Sequence, residues 1–272
     1  MNFPKQSVIK KVATGVFLLF FGIFTACDNT GSDNKALINV LLIDAPGDFD
    51  EVWVEILGVE LLPAGSRGLE NGDWVFLPYT PADKIVRLTD LVGSQRLLLG
   101  RKEVPAGIVS RVKLLLGDTH YFIKGGQRFP LQLANNAEDF LTMQLQANAA
   151  ANFALDIYID FDVATSVKAG ASGSFLLEPA LRAFTLDRTS EVRGIVQPPA
   201  ARPFVYAIHE SDTFATITSG TGEFRLRGLP PNPYRILIRP RATHLDSALN
   251  LRTFADSVIN MGNIPLKPVA TE

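Results

Sequence analysis

Between Leu155 and Val163 the chain reads Leu-Asp-Ile-Tyr-Ile-Asp-Phe-Asp-Val, with every odd position apolar and every even one Asp or Tyr. A period of two is the repeat of a strand with one face in a core, and a helix would scatter the apolar set around its axis. Ile157, Ile159 and Phe161 are therefore expected inward, and Asp156, Asp160 and Asp162 on an outward carboxylate face. Other apolar, β-branched runs occupy residues 37–43, 52–61, 74–77, 108–116, 175–177 and 180–186, and residues 121–133 read as a hairpin about Gly125-Gly126. Turn residues separate them, among them Asp44-Ala45-Pro46-Gly47-Asp48 and Gly117-Asp118. Residues 84–99 fit one or two short helical turns. No βαβ pattern repeats, so the expectation is an all-β chain built as a β-sandwich. After the polar break Asp187-Arg188-Thr189-Ser190 come six more strand candidates, at 191–196, 204–209, 213–218, 223–226, 234–238 and 254–259. That spacing suits a second, small Greek-key sandwich of immunoglobulin-like kind, which places the domains at 36–188 and 189–272.

The amino terminus carries a different signal. Lys5, Lys10 and Lys11 precede residues 12–24, apolar except for Thr14 and two glycines, and then Thr25-Ala26-Cys27. The apolar segment is too short for a membrane-spanning helix but fits the h-region of a secretion signal. Small residues followed by cysteine resemble the lipobox of bacterial lipoproteins. The resemblance implies that residues 1–26 are removed and that the Cys27 thiol receives a diacylglyceryl group. Residues 27–35, almost without apolar side chains, read as a flexible tether. Cys27 is the only cysteine, so a lipidated chain has no disulfide and must hold its body together by burial alone.

Three lysines and no acids leave with residues 1–26. The 26 basic side chains become 23 against 28 acidic, a formal charge of −5. With no basic cluster interleaved with aromatics, this excludes a nucleic-acid partner.

Candidate chemistry is sparse. His120, His209 and His244 stand alone, outside any metal-ligand spacing. Gly170-Ala171-Ser172-Gly173-Ser174 lacks the second glycine of a nucleophile elbow and reads as a turn. The carboxylates Asp156, Asp160 and Asp162 lie about 7 Å apart per two residues, near enough to share a calcium ion with a loop oxygen. The competing reading, and the favoured one, is a solvated face partnered across strands by Arg111 and Lys113. Trp53, Trp74, Tyr79 and Tyr121 would make a platform for sugar rings if exposed on one face, and core residues otherwise. No catalytic residue is assigned, and no cofactor beyond the calcium alternative.

Two family resemblances follow from particular residues. Asp44-Ala45-Pro46-Gly47-Asp48-Phe49, the strand Val-Trp-Val-Glu-Ile at 52–56, Val104-Pro105-Ala106-Gly107, residues 114–118, Asp160-Phe161-Asp162 with Ser166, and Leu177-Glu178-Pro179 together resemble the domain-of-unknown-function family numbered 4382. That family occurs in bacterial lipoproteins. Val192-Arg193-Gly194-Ile195-Val196, Thr221-Gly222-Glu223-Phe224 and Gly228-Leu229-Pro230-Pro231 leading into Tyr234 resemble a carboxypeptidase-regulatory-like, transthyretin-type sandwich, with Asn232-Pro233 where a glycine commonly precedes the tyrosine. Neither resemblance implies a catalytic mechanism. The sequence thus reads as a non-enzymatic lipoprotein of the bacterial cell envelope, held through Cys27 at the outer membrane or cell surface more than at the inner membrane. Its partner would be a glycan or a protein. The alternatives are a hydrolase of envelope or exported glycans and an accessory subunit of a surface complex.

Overall fold

The structure, a computed structural model, describes residues 34–45, 47–63, 73–92, 95–135, 141–241 and 244–269. The expected signal segment, Cys27 and the expected tether up to residue 33 lie outside the described residues. The first body is built of β1 (Lys35–Ala45), β2 (Glu51–Pro63), β3 (Val75–Pro78), β4 (Ile85–Arg87), β5 (Leu97–Pro105), β6 (Gly107–Lys124), β7 (Gln127–Leu133), β8 (Thr142–Ala149), β9 (Ala154–Asp162), β10 (Val167–Ala169), β11 (Phe175–Leu177) and β12 (Leu181–Phe184). One sheet runs β12-β9-β1-β5. The second runs β10-β11-β7-β6-β2-β3, with β4 and β8 added to β2 and β6.

Alternation sets which residues meet between these sheets. Ile38, Val40 and Leu42 of β1 and Ile157, Ile159 and Phe161 of β9 are fully buried, against Val52, Val54 and Ile56 of β2 and Val112, Leu114 and Phe122 of β6. The expected register of β9 is the observed one.

The second body is β13 (Ser190–Gln197), β14 (Phe204–His209), β15 (Asp212–Ile217), β16 (Glu223–Leu229), β17 (Pro233–Arg239), β18 (Ser247–Arg252) and β19 (Ser257–Pro265). Sheets ordered β16-β13-β19 and β15-β14-β17-β18 enclose a core of Val192, Val205, Phe224, Ile236 and Ile238. The all-β sandwich architecture holds throughout, and residues from Lys35 onward pack as one compact unit.

The helical turn expected within residues 84–99 is present, a 3-10 turn at Leu88–Asp90 between the strands β4 and β5, while residues 93 and 94 lie outside the described residues. Two other local expectations are corrected. Gly117-Asp118 does not end β6, which continues to Lys124 past an irregular stretch facing β2. There the Glu55 carboxylate accepts from the Asp118 and Thr119 amides at 3.0 and 2.9 Å. A Cβ at position 117 would lie 2.3 Å from the Glu55 side chain, so glycine is what lets the strand pass. Residues 175–186 are not one strand: Glu178-Pro179-Ala180 carries the chain from β11 in one sheet to β12 in the other.

Candidate functional site

The carboxylate face of β9 is the outer face of the β12-β9-β1-β5 sheet, and the second sandwich covers it. Leu41, Ile43, Tyr158 and Phe184 form a small buried cluster on that face. Gly228 of β16 approaches the Phe184 ring so closely that a Cβ would fall 2.4 Å from it. The expected solvated face is therefore a contact face between the two sandwiches.

Each aspartate is engaged separately. Asn39 donates from Nδ2 to Asp156 at 2.6 Å, and Arg101 Nε donates to Asn39 Oδ1 at 2.6 Å. Asp160 Oδ2 accepts from Arg182 Nη2 at 2.7 Å. Asp162 caps the helical turn Val163–Ser166 by accepting from the Thr165 amide at 3.0 Å. Arg111 and Lys113, the expected partners, sit on β6 in the other sheet and meet none of the three, which corrects that expectation. The structure does not gather Asp156, Asp160 and Asp162 around one point. Among the described residues no group of three or more His, Cys, Asp or Glu side chains is arranged to hold a metal ion.

Arg182 is the centre of this boundary. Its guanidinium lies over the rings of Phe184 and Phe214, 4.4 and 4.5 Å from their centroids. It also donates to the Gly228 and Arg227 carbonyls at 2.8 and 3.3 Å. Burial raises the Asp160 carboxyl above its ordinary range while Arg182 opposes the shift. Asp44, at the end of β1, is buried with neither carboxylate oxygen in an ordinary hydrogen bond. Burial first, then Asp160 and Asp162, push its pKa well above the usual carboxylate value, and the nearby Val163 amide only partly opposes them. Beside it, Asp160, Asp162, Arg182, Thr142, Thr213 and Phe214 line a cleft of about 420 Å³ between the sandwiches. Nothing in the sequence marks Asp44 apart from its neighbours in the turn; the covering of its face by a second domain is a long-range fact.

The four aromatic candidates divide. Trp53 of β2 and Tyr121 of β6 are cross-strand partners on the half-exposed outer face of the second sheet, stacked with centroids 5.8 Å apart at 18°. Arg87 lies 5.3 Å above Trp53 and Arg128 3.6 Å above Tyr121, while the indole nitrogen donates to Glu51 at 2.7 Å. Trp74 lies near the other end of β2, and Tyr79 is buried, its carbonyl accepting from Lys84. Of the histidines, His120 is buried with Nδ1 accepting from the Glu55 amide at 3.3 Å and Nε2 unpartnered, so burial lowers its pKa. His209 bonds the Pro233 carbonyl.

Among solved structures, a type II cohesin–X-dockerin complex from Acetivibrio cellulolyticus is 14% identical, matching 28% of this chain and 56% of that one at a TM-score of 0.24. The Bacillus anthracis TIE protein is 12% identical over 89% of this chain and 42% of its own, at 0.25. The shaft pilin SpaA of Lactobacillus rhamnosus GG is 10% identical over 88% and 99%, at 0.27. The chain spans little more than half the length of the cohesin–dockerin chains it matches, 56% and 58%. Likenesses of this size carry no argument about function. No curated protein matches. Residues 35–179, the whole of the first sandwich up to Pro179, match the domain of unknown function DUF4382, and the chain belongs to that family.

Proposed function

We propose that this DUF4382 protein is a lipid-anchored module of the bacterial cell envelope that works by binding and display, held by acyl chains on Cys27 after removal of residues 1–26. The ligand class it fits best is a glycan, taken on the Trp53–Tyr121 face. The observation that carries this reading is the stacked pair itself, two aromatic rings in register on a half-exposed sheet face with a guanidinium over each. Surface cation–π contacts are worth only about 0.5–1 kcal/mol, so a sugar ring can displace them, and a displaced Arg128 would suit an acidic sugar, while Arg87 stays paired with Asp90 and Glu51. Around the second sandwich the charges are paired as well, Glu191 with Arg225 and Arg227, and Asp160 with Arg182, without an exposed aromatic pair beside them among the described residues. In this reading the carboxypeptidase-regulatory-like second domain is a spacer or docking module.

A glycan array probed with the detergent-solubilised protein tests the proposal. Binding to one class of sugars, reduced at least about tenfold by Trp53→Ala in line with the loss of a stacking contact, is expected. Binding that ignores Trp53→Ala and Tyr121→Ala would overturn the platform.

One observation favours the hydrolase alternative, the cleft lined by Asp160 and Asp162 with the Asp160 carboxyl raised. It is the poorer reading because Arg182 holds one carboxylate and a helical turn engages the other. Turnover of envelope glycans that Asp160→Asn abolishes would reverse that order.

A further inference from the structure

Where β1 begins, two turns flank the entry of the chain. Lys35 pairs with Pro105, which starts the turn into β6. The Asn152 amide donates to the Lys35 carbonyl at 2.8 Å, and the Leu37 amide to the Phe153 carbonyl at 3.0 Å, which ties the β8–β9 turn to the same place. The first turn and its exit read Pro105-Ala106-Gly107-Ile108 and the second Ala150-Ala151-Asn152-Phe153, without a single charge. Phe153 is 70% exposed, more than any other large hydrophobic among the described residues, and Ile108 is 37% exposed.

The other end of the sandwich has the opposite character. Asp48, Asp50 and Asp162 gather there, Asp48 paired with Lys124 at 3.2 Å, and the second sandwich covers Ile43, the buried Asp44 and Asp160 on its flank. The 11 residues of β1 separate the two ends by about 33 Å. A phospholipid leaflet with anionic headgroups would repel the acidic end and accept the uncharged one.

We propose that the uncharged tip formed by residues 105–108 and 150–153 rests on the leaflet that holds the acyl chains of Cys27, with Phe153 inserted at headgroup level. The inference rests on the lipid anchor of the preceding reading. Cys27 precedes Lys35 by eight residues, a reach of at most about 28 Å, so an acylated chain holds this tip, more closely than the remote end of the sandwich, within reach of the interfacial layer. Tethering raises the effective concentration of lipid at the tip, so one aromatic and one aliphatic side chain suffice to orient the body. In that pose the second sandwich is held outward, at the end remote from the membrane.

The test uses the full-length protein purified from membranes and reconstituted into phosphatidylethanolamine/phosphatidylglycerol vesicles. An acylated Cys27 leaves no free thiol, so Phe153→Cys and Asp48→Cys each take one environment-sensitive fluorophore. Nitroxide-labelled lipid should quench the probe at 153 about threefold more than the probe at 48, since an interfacial group penetrates only about 5–10 Å. Equal quenching at the two sites, or none at 153 in a protein whose Cys27 is acylated, overturns the orientation and leaves the anchor standing. A Cys27 thiol that reacts with the fluorophore in the unmutated protein removes the anchor and the orientation with it.

Discussion

Arg182 and Asp160 face each other across β12 and β9, and their 2.7 Å ion pair sits beneath the second sandwich. The same guanidinium reaches the Gly228 and Arg227 carbonyls, so one side chain joins a carboxylate of the first sandwich to the backbone of the second. Arg182→Ala should cost about 2–3 kcal/mol, less than a fully enclosed pair because the Arg182 side chain stays 32% exposed. Urea melts of wild type and variant check this. A change under about 0.5 kcal/mol, the scale of ordinary surface substitutions, would show that the boundary does not depend on the pair.

Asp44 gives a pH dependence whose sign is fixed. Its carboxyl titrates well above the usual value in the fold, and near 3.9 once unfolded. Above about pH 4 the unfolded chain loses a proton that the native state keeps, so this group makes stability fall as pH rises, until Asp44 ionises in the fold. Asp44→Asn removes the effect. The variant should be close to wild type at pH 4 and gain on it with rising pH, by up to about 1.4 kcal/mol per pH unit, in melts at pH 4, 5.5 and 7. A difference independent of pH would mean that Asp44 is already ionised in the fold.

The register of β9 is tested at its most enclosed side chain. Phe161 is fully buried, and Phe161→Ala should cost about 3–5 kcal/mol through the cavity it leaves, enough to unfold the first sandwich on mild heating. A tolerated substitution, read by circular dichroism melts, would place Phe161 elsewhere.

The two hydrophobic cores lead us to expect two foldable pieces when the chain is cut near Thr189. Each fragment should melt cooperatively, at a lower temperature than the whole because Leu41, Ile43, Tyr158 and Phe184 lose their cover. Mixed fragments should reassociate, and Arg182→Ala should weaken that. Non-cooperative melting of both fragments would show that neither sandwich folds without the other.

What the sequence disclosed tracks the range of each interaction. Alternation is local, so Ile157, Ile159 and Phe161 were placed correctly from the chain alone. β8 carries an equally regular alternation, with Met143, Leu145, Ala147 and Ala149 inward and Gln144, Gln146 and Asn148 outward, but its polar residues are uncharged and mask the strand. β18 is mostly exposed and gave no apolar signal to read. Tyr158 stood in the polar set of β9 yet is buried, because whether an outward face meets water or the second sandwich is decided by distant chain, at β15 and β16, roughly 55 to 70 residues from Tyr158. The same holds for Asp44, and for the division of the aromatics. Trp53 and Tyr121 meet through the β2–β6 pairing, whereas Trp74 and Tyr79 follow a different stretch of β2.

The lipid anchor is the claim on which display at the envelope depends, and intact-peptide mass spectrometry of the protein extracted from bacterial membranes tests it most directly. The account predicts an amino-terminal peptide beginning at Cys27 and heavier by a diacylglyceryl group, with or without an acylated amine, and loss of that species in Cys27→Ser. A mature protein with an unmodified Cys27, or one that retains residues 1–26, would contradict it.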